Sequence, residues 1–297
     1  MANTGDVKNG YFKCEWGQLH YRSVNLDSKK PLLVMLHQSP LSSRNYQAAL
    51  PYLADHFRVV ALDTPGFGQS TPPNQVWSVQ DYAKIALQSA DALGVEQFYL
   101  FGRATGGVFA FVAALLSPER VEKLVLHGMP VYTEEERTDR LANFAPPYEI
   151  DDDAGHLRWI WDRIHSEYPW IDGHLATQFC RDFLNAGPDF ATSYRSIWKY
   201  DLPKGFAAAG SRLPCPTLIL GGGADRIAYM HQRVRALFPD ADEVFMPEAT
   251  DFVAEQNPEL FARIVGDFLA RYHPIALFTS YCGSLFLLLD LLYGRAK

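Results

Sequence analysis

Between Gly102 and Gly107 the chain reads Gly-Arg-Ala-Thr-Gly-Gly, and this stretch raises the chemical question that the rest of the sequence must answer. A turn of the form Gly-x-Ser-x-Gly lifts its central hydroxyl from the end of a strand to the start of a helix, where it can attack a carbonyl. The central residue is strained, and no Cβ fits beside it, so glycines flank it. Here Gly102 and Gly106 keep both flanks, but the apex is Ala104, which carries no nucleophilic atom. The chain has the spacing of nucleophilic catalysis without the reactive group. No His/Cys cluster has the spacing of a metal site. The Gly221-Gly222-Gly223 run lacks the Lys-Ser/Thr ending of a phosphate loop. Neither a metal nor a cofactor is expected.

Such a turn needs a strand before it and a helix after it. Gln97–Phe101 reads as the strand, and Val108–Ser117 as an apolar helix. The same rhythm extends along the chain. Tyr11–Val24 alternates about Trp16-Gly17, as an antiparallel hairpin does. Pro31–Leu36, Phe57–Leu62, Lys123–His127, Pro216–Leu220 and Glu243–Met246 read as further strands, most of them continuously apolar. Helical spacing falls at Arg44–Ala54, Ser78–Leu93, Ala228–Phe238 and Pro258–Tyr272. Strands alternating with helices predict an α/β fold with a mostly parallel sheet covered on both faces. The rhythm breaks between about Val131 and Ser211, where four tryptophans and many charges sit in helical spacing without buried strands. The division expected is a core of residues 1–130 and 212–272, a helical cap at 131–211, and an apolar tail at 273–297.

Composition bounds the rest. The chain has 297 residues, 48% of them hydrophobic, enough for one sizeable core. A net charge of −7 without a Lys/Arg block argues against nucleic acid. Four scattered cysteines and a polar start, Met1–Asp6, predict reduced thiols and a cytoplasmic protein. Residues 275–293 form an apolar run with Asp290 as its only charge. It reads as a helix packed on the body or in a homodimer, as a membrane-surface anchor, or as a stretch foreign to the rest of the chain.

Four segments in this order resemble the α/β-hydrolase fold, over roughly Tyr11 to Tyr272. His37-Gln38-Ser39-Pro40 is similar to the family's His-Gly-x-Pro loop, with Gln38 in the place of its glycine. Asp63-Thr64-Pro65-Gly66-Phe67-Gly68-Gln69-Ser70 looks like its second conserved loop. The Ala104 turn resembles the nucleophile elbow, and Asp225 stands where the family places its acid. The family's histidine usually follows the last strand, and there this chain has Asp251. The resemblance therefore implies a hydrolase-like protein in which the nucleophile and histidine positions have both been replaced. Ordinary Ser-His-Asp hydrolysis is excluded, because no hydroxyl stands at the apex and aspartate cannot relay a proton as imidazole does.

The resemblance brings Ala104, Asp225 and Asp251 to one sheet edge. Two carboxylates in contact would share a proton and titrate as a unit. The alternative is that Asp251 turns away, or that either acid pairs with Arg103 or Arg226. His127, at the end of its strand, is a candidate base or a satisfied structural histidine. His37 is expected to hold its loop. The family's oxyanion donors would be the N–H groups of Thr105 and Ser39, the second in doubt because of Gln38. Arg103 supports the turn from behind or sets a positive charge near an acidic ligand. Three functions follow as expectations. The first is a cofactor-free enzyme acting on a small carbonyl-bearing molecule by oxyanion stabilisation and acid–base help. The second is a pseudo-hydrolase that binds a ligand or partner. The third is an inactivated variant of a serine hydrolase.

Overall fold

The computed structural model describes residues 6–271. The apolar run at 275–293, with the dimer and membrane-surface readings attached to it, lies outside them. An antiparallel hairpin, β1 (Lys8–Cys14) and β2 (Gly17–Val24), opens the chain. Next come β3 (Leu32–Leu36), β4 (Arg58–Leu62), β5 (Phe98–Arg103), β6 (Val121–His127), β7 (Thr217–Gly222) and β8 (Asp242–Met246). They form one sheet in the order β1-β2-β4-β3-β5-β6-β7-β8, parallel from β4 onward.

The apolar runs are continuous because the interior strands are buried on both faces, and alternate residues feed two cores. Leu32, Val34 and Leu36 of β3 point to one cluster with α2 (Val79–Ala92) and α3 (Thr105–Leu116). Leu33 and Met35 point to the other, with α1 (Leu50–Leu53) and α11 (Pro258–Ala270). Ser78 caps α2 in a reciprocal capping box with Asp81. Between β6 and β7 run five helices: α4 (Glu134–Asn143), α5 (Gly155–Glu167), α6 (Gly173–Ala186), α7 (Thr192–Lys199) and α8 (Leu202–Ala208).

The helix expected over Arg44–Ala54 is broken. A 3₁₀ turn at Ser43–Tyr46 is followed by the single turn of α1. Pro51 lacks an N–H and its ring would collide with a carbonyl four residues back, so it can only begin a helix. The Ala228–Phe238 helix likewise splits into a 3₁₀ turn at Ala228–Met230 and α9 (His231–Leu237).

Two features place the site. The chain leaves β3 for β4 on one side and returns to β5 on the other, so the strand order reverses between β3 and β5. Ligands of open α/β sheets bind at the carboxyl ends of the strands at such a reversal. Leu36 and Gly102 are in register there, so the loop after β3 and the turn after β5 emerge side by side.

The turn is locked by close backbone approach. A Cβ on Gly102 would collide with the carbonyl of Gly106, and one on Gly106 would stand 2.5 Å from the carbonyl oxygens of both Leu36 and His37. Gly106→Ala is therefore expected to lower the unfolding free energy by about 3 kcal/mol. Urea denaturation monitored by circular dichroism checks this, and an unchanged midpoint refutes it.

Candidate active site at the Ala104 turn

Ala104 sits at the apex with φ 45° and ψ −112°. A non-glycine residue there carries ~1–3 kcal/mol of strain and persists only because its surroundings fix it. Its N–H donates to the His127 carbonyl at 2.9 Å, and its carbonyl accepts from Val108 N–H at 3.2 Å. Ala104 is partly exposed, while Arg103 and Thr105 on either side are buried. The bend points a methyl group outward where a hydroxyl would serve.

The loop after β3 is held by its own histidine. His37 Nδ1 lies 2.8 Å from the Gln38 carbonyl, and its Nε2 accepts from Thr64 N–H at 2.9 Å. Both ring nitrogens are committed to backbone, and burial pushes the imidazole toward its neutral form. Beside it, Ser39 N–H donates to Thr105 Oγ1 at 2.7 Å, and that hydroxyl donates to Ser39 Oγ at 3.1 Å. Ser193 of α7 donates to the same Ser39 Oγ at 2.6 Å, and the Tyr194 hydroxyl donates to the Ser39 carbonyl. Of the two expected oxyanion donors, Ser39 N–H is thus occupied by a side chain of the turn itself. Thr105 N–H opens α3, where a helix leaves its first donors without intrahelical partners.

Arg103 turns behind the bend. It is 2% exposed, its Nη2 lies 3.2 Å from Asp251 Oδ2, and its guanidinium covers the Phe252 ring at 4.4 Å. Asp251 therefore pairs with Arg103, and no hydrogen bond joins it to Asp225 among the described residues. Asp225 accepts from Ile227 N–H at 2.8 Å, and its other oxygen crowds Gly128. Arg226 pairs instead with Glu167 of α5 and stacks on Tyr168.

A third carboxyl, which motif reading missed, joins this group. Glu255 is half-buried, its carboxyl turned inward, and it accepts from Asn45 Nδ2 at 2.5 Å. Its one sequence signal was its place four residues after Asp251. Burial pushes Asp251 and Glu255 up to about 7 against the pull of Arg103, and Asp225 adds to the rise at Asp251. Burial raises Asp225 as well. Arg103 pulls on all three carboxyls and Arg226 adds to it at Asp225 and Asp251, yet burial prevails and all three pKa values are raised. Sequence reading also missed Ser193 and Tyr194, which carry no motif and reach the site only through the placing of α7.

His127 is in register with Arg103 and lies on the same sheet face. It is completely buried, and neither ring nitrogen has a hydrogen-bond partner among the described residues. Desolvation and then the Arg103 charge hold it neutral well below the usual histidine range. Its carbonyl serves the turn, while its imidazole has no proton donor or acceptor to work with.

A mostly parallel eight-stranded sheet with a strained strand-to-helix turn at its reversal point has the α/β-hydrolase fold. The sequence model of the alpha/beta hydrolase fold family matches residues 31–169, and the chain belongs to the α/β-hydrolase superfamily. It is 26% identical over 277 residues to the uncharacterized hydrolase YugF of Bacillus subtilis, covering 90% of this chain and 96% of that one. It is 27% identical over 258 residues to a 2-hydroxymuconate semialdehyde hydrolase of a Pseudomonas strain, covering 82% and 89%. A crystal structure of a hydrolase from Pseudomonas aeruginosa shares the fold, with a TM-score of 0.72 at 24% identity over 91% of this chain and all of that one. Among the described residues no helix is long and apolar enough to cross a membrane.

Two outcomes follow from the buried charges. Arg103→Met strands carboxylates in the interior and is expected to cost about 3–5 kcal/mol of stability. Asp251 and Glu255 have folded pKa values raised to about 7, above their unfolded values. Stability from such groups is complete below the unfolded pKa and is lost as pH rises through the folded one. Asp63, held at about 2 by hydrogen bonding to His20 despite its burial, contributes a constant amount over that window. Asp251 and Glu255 should therefore lower the unfolding free energy between about pH 4 and pH 7, while His37 and His127, whose folded pKa values are lowered, raise it with pH below about pH 6.5. Glu255→Gln removes one share of the fall, so the native-minus-variant difference should fall over that window; urea titrations at stepped pH decide it, and a difference that rises would contradict the assignment.

Proposed function

We propose that this chain takes up a small organic molecule at the Ala104 turn and holds it without forming a covalent intermediate. Its curated relatives are hydrolases, one of them named for a semialdehyde, and this kinship supports a small carbonyl-bearing ligand. Three residues of the site argue against hydrolysis. Ala104 offers no nucleophile. Asp251, in the place where the superfamily resemblance puts its histidine, lies 3.2 Å from Arg103. Ser39 N–H is already bonded to the Thr105 hydroxyl, so a developing oxyanion would find the donor at Thr105 alone. One lost oxyanion donor costs ~2.7–4 kcal/mol of transition-state stabilisation. The observation that carries the reading is Ala104 at the apex of the bend, with Asp251 set against Arg103 at 3.2 Å.

The inserted helices act in this reading as a cap. Ser193 and Tyr194 fasten α7 to the Ser39 loop beside the turn. A second reading, cofactor-free acid–base catalysis, rests on one observation. Asp251, with its pKa raised to about 7, could exchange a proton near neutral pH.

The test is turnover against esters, lactones and β-keto acids, combined with native mass spectrometry for a retained compound. The expected result is a bound small molecule and no turnover above buffer, for the native chain and for Ala104→Ser alike. Turnover that Asp251→Asn abolishes would favour the second reading. Activity restored by Ala104→Ser would mean an inactivated serine hydrolase.

A further inference from the structure

A second concavity lies away from the turn. It has a volume of about 460 Å³ and opens between the loop at 72–77 and the outer face of α7. This is within the ~300–1,000 Å³ range of small-molecule sites. None of the residues gathered round Ala104 lines it. Helix α7 separates the two places by its own periodicity. Ser193 and Tyr194 face the Ser39 loop, whereas Thr192, Arg195 and Lys199 face the cleft.

The cleft is lined by proline and aromatic side chains. Pro72 and Pro73 form one wall, and Trp77 and Tyr82 form the floor. The Trp77 indole is held edge-on to both Trp16 and Tyr82, with ring centroids 5.2 Å apart in each pair. These contacts fix the aromatic floor before any ligand arrives, so little rotamer entropy is lost on binding.

Charge sets the ligand's polar end. Arg195 is satisfied by Asp189 through two hydrogen bonds of 2.7 and 2.6 Å. Lys199 has no ion-pair partner among the described residues, so the cleft carries one uncompensated positive charge in a chain of net charge −7. The neighbouring groove on Trp77 holds Glu15 and an Asp81–Lys84 pair at 3.3 Å, so its cation is already matched. An anion is therefore favoured at the Lys199 end.

We propose that the cleft between the 72–77 loop and α7 is a second ligand site, taking a planar aromatic carboxylate with its ring on Trp77 and its carboxylate at Lys199. The site stands on residues other than those of the Ala104 turn, so it survives or fails independently of the function proposed there.

The experiment is calorimetric titration of the intact chain with 2-naphthoate and with its neutral analogue 2-naphthamide. Three variants are compared with the native protein. Lys199→Met removes the charge, Ala186→Trp fills the cleft, and Thr192→Phe fills it from an exposed position should Ala186→Trp fold poorly. Naphthoate is expected to bind the native chain and to weaken about fivefold in Lys199→Met, the size of a partly exposed charge pair. Naphthamide should bind the native chain and Lys199→Met equally. A filling variant that retains native circular dichroism should abolish binding of both. The proposal is overturned by absence of naphthoate binding, by affinity unchanged in Lys199→Met, or by binding that persists in a folded filling variant.

Discussion

A buried guanidinium constrains everything else at this sheet edge. Arg103 stands next to the apex, 2% exposed, and a charge so placed must find a counter-charge inside the protein. Asp251 supplies it at 3.2 Å. An imidazole at residue 251 would leave Arg103 facing another donor, while an aspartate completes it. Asp225 and Glu255 also face this guanidinium, and burial raises the pKa of all three carboxyls above that of a solvent-exposed one.

The architecture itself uses the strained bend. Gly102 and Gly106 let the end of β5 and the start of α3 approach each other and the end of β3 without intervening side chains. Straightening the bend would separate α3 from the sheet and open the core beneath it. Ala104 thus keeps a costly conformation for packing reasons. Its backbone ties, to His127 on β6 and to Val108 in α3, belong to the fold and do not require a reactive side chain.

Hydroxyl groups close what the missing nucleophile leaves open. Thr105, Ser39 and Ser193 form a short chain of hydrogen bonds from the turn, through the loop, to α7. This network joins the inserted helices to the sheet edge and takes up the Ser39 N–H. One helix, α7, therefore performs two tasks with two faces. The inner face fastens the insert over the turn, and the outer face walls the aromatic cleft beside Trp77.

The sequence alone determined the order of strands and helices, because strands buried on both faces read as unbroken apolar runs. It also determined that Ala104 caps a strained turn, since only glycines tolerate the close approaches at Gly102 and Gly106. His37 as a loop-holder was legible from the same local pattern. Helix limits near Pro51 were misread, because spacing suggested continuity where the proline ring forbids it. The partners of Arg103 were beyond local reading. The choice between Asp251 pairing with Asp225, with Arg226 or with Arg103 depends on which sheet face each side chain occupies. Glu255, Ser193 and Tyr194 come from distant segments that only the packing of α7 and α10 (Val253–Gln256) brings to the site. Tertiary structure decided these points because burial and charge pairing are properties of neighbours in space, which a linear pattern of residue types does not encode.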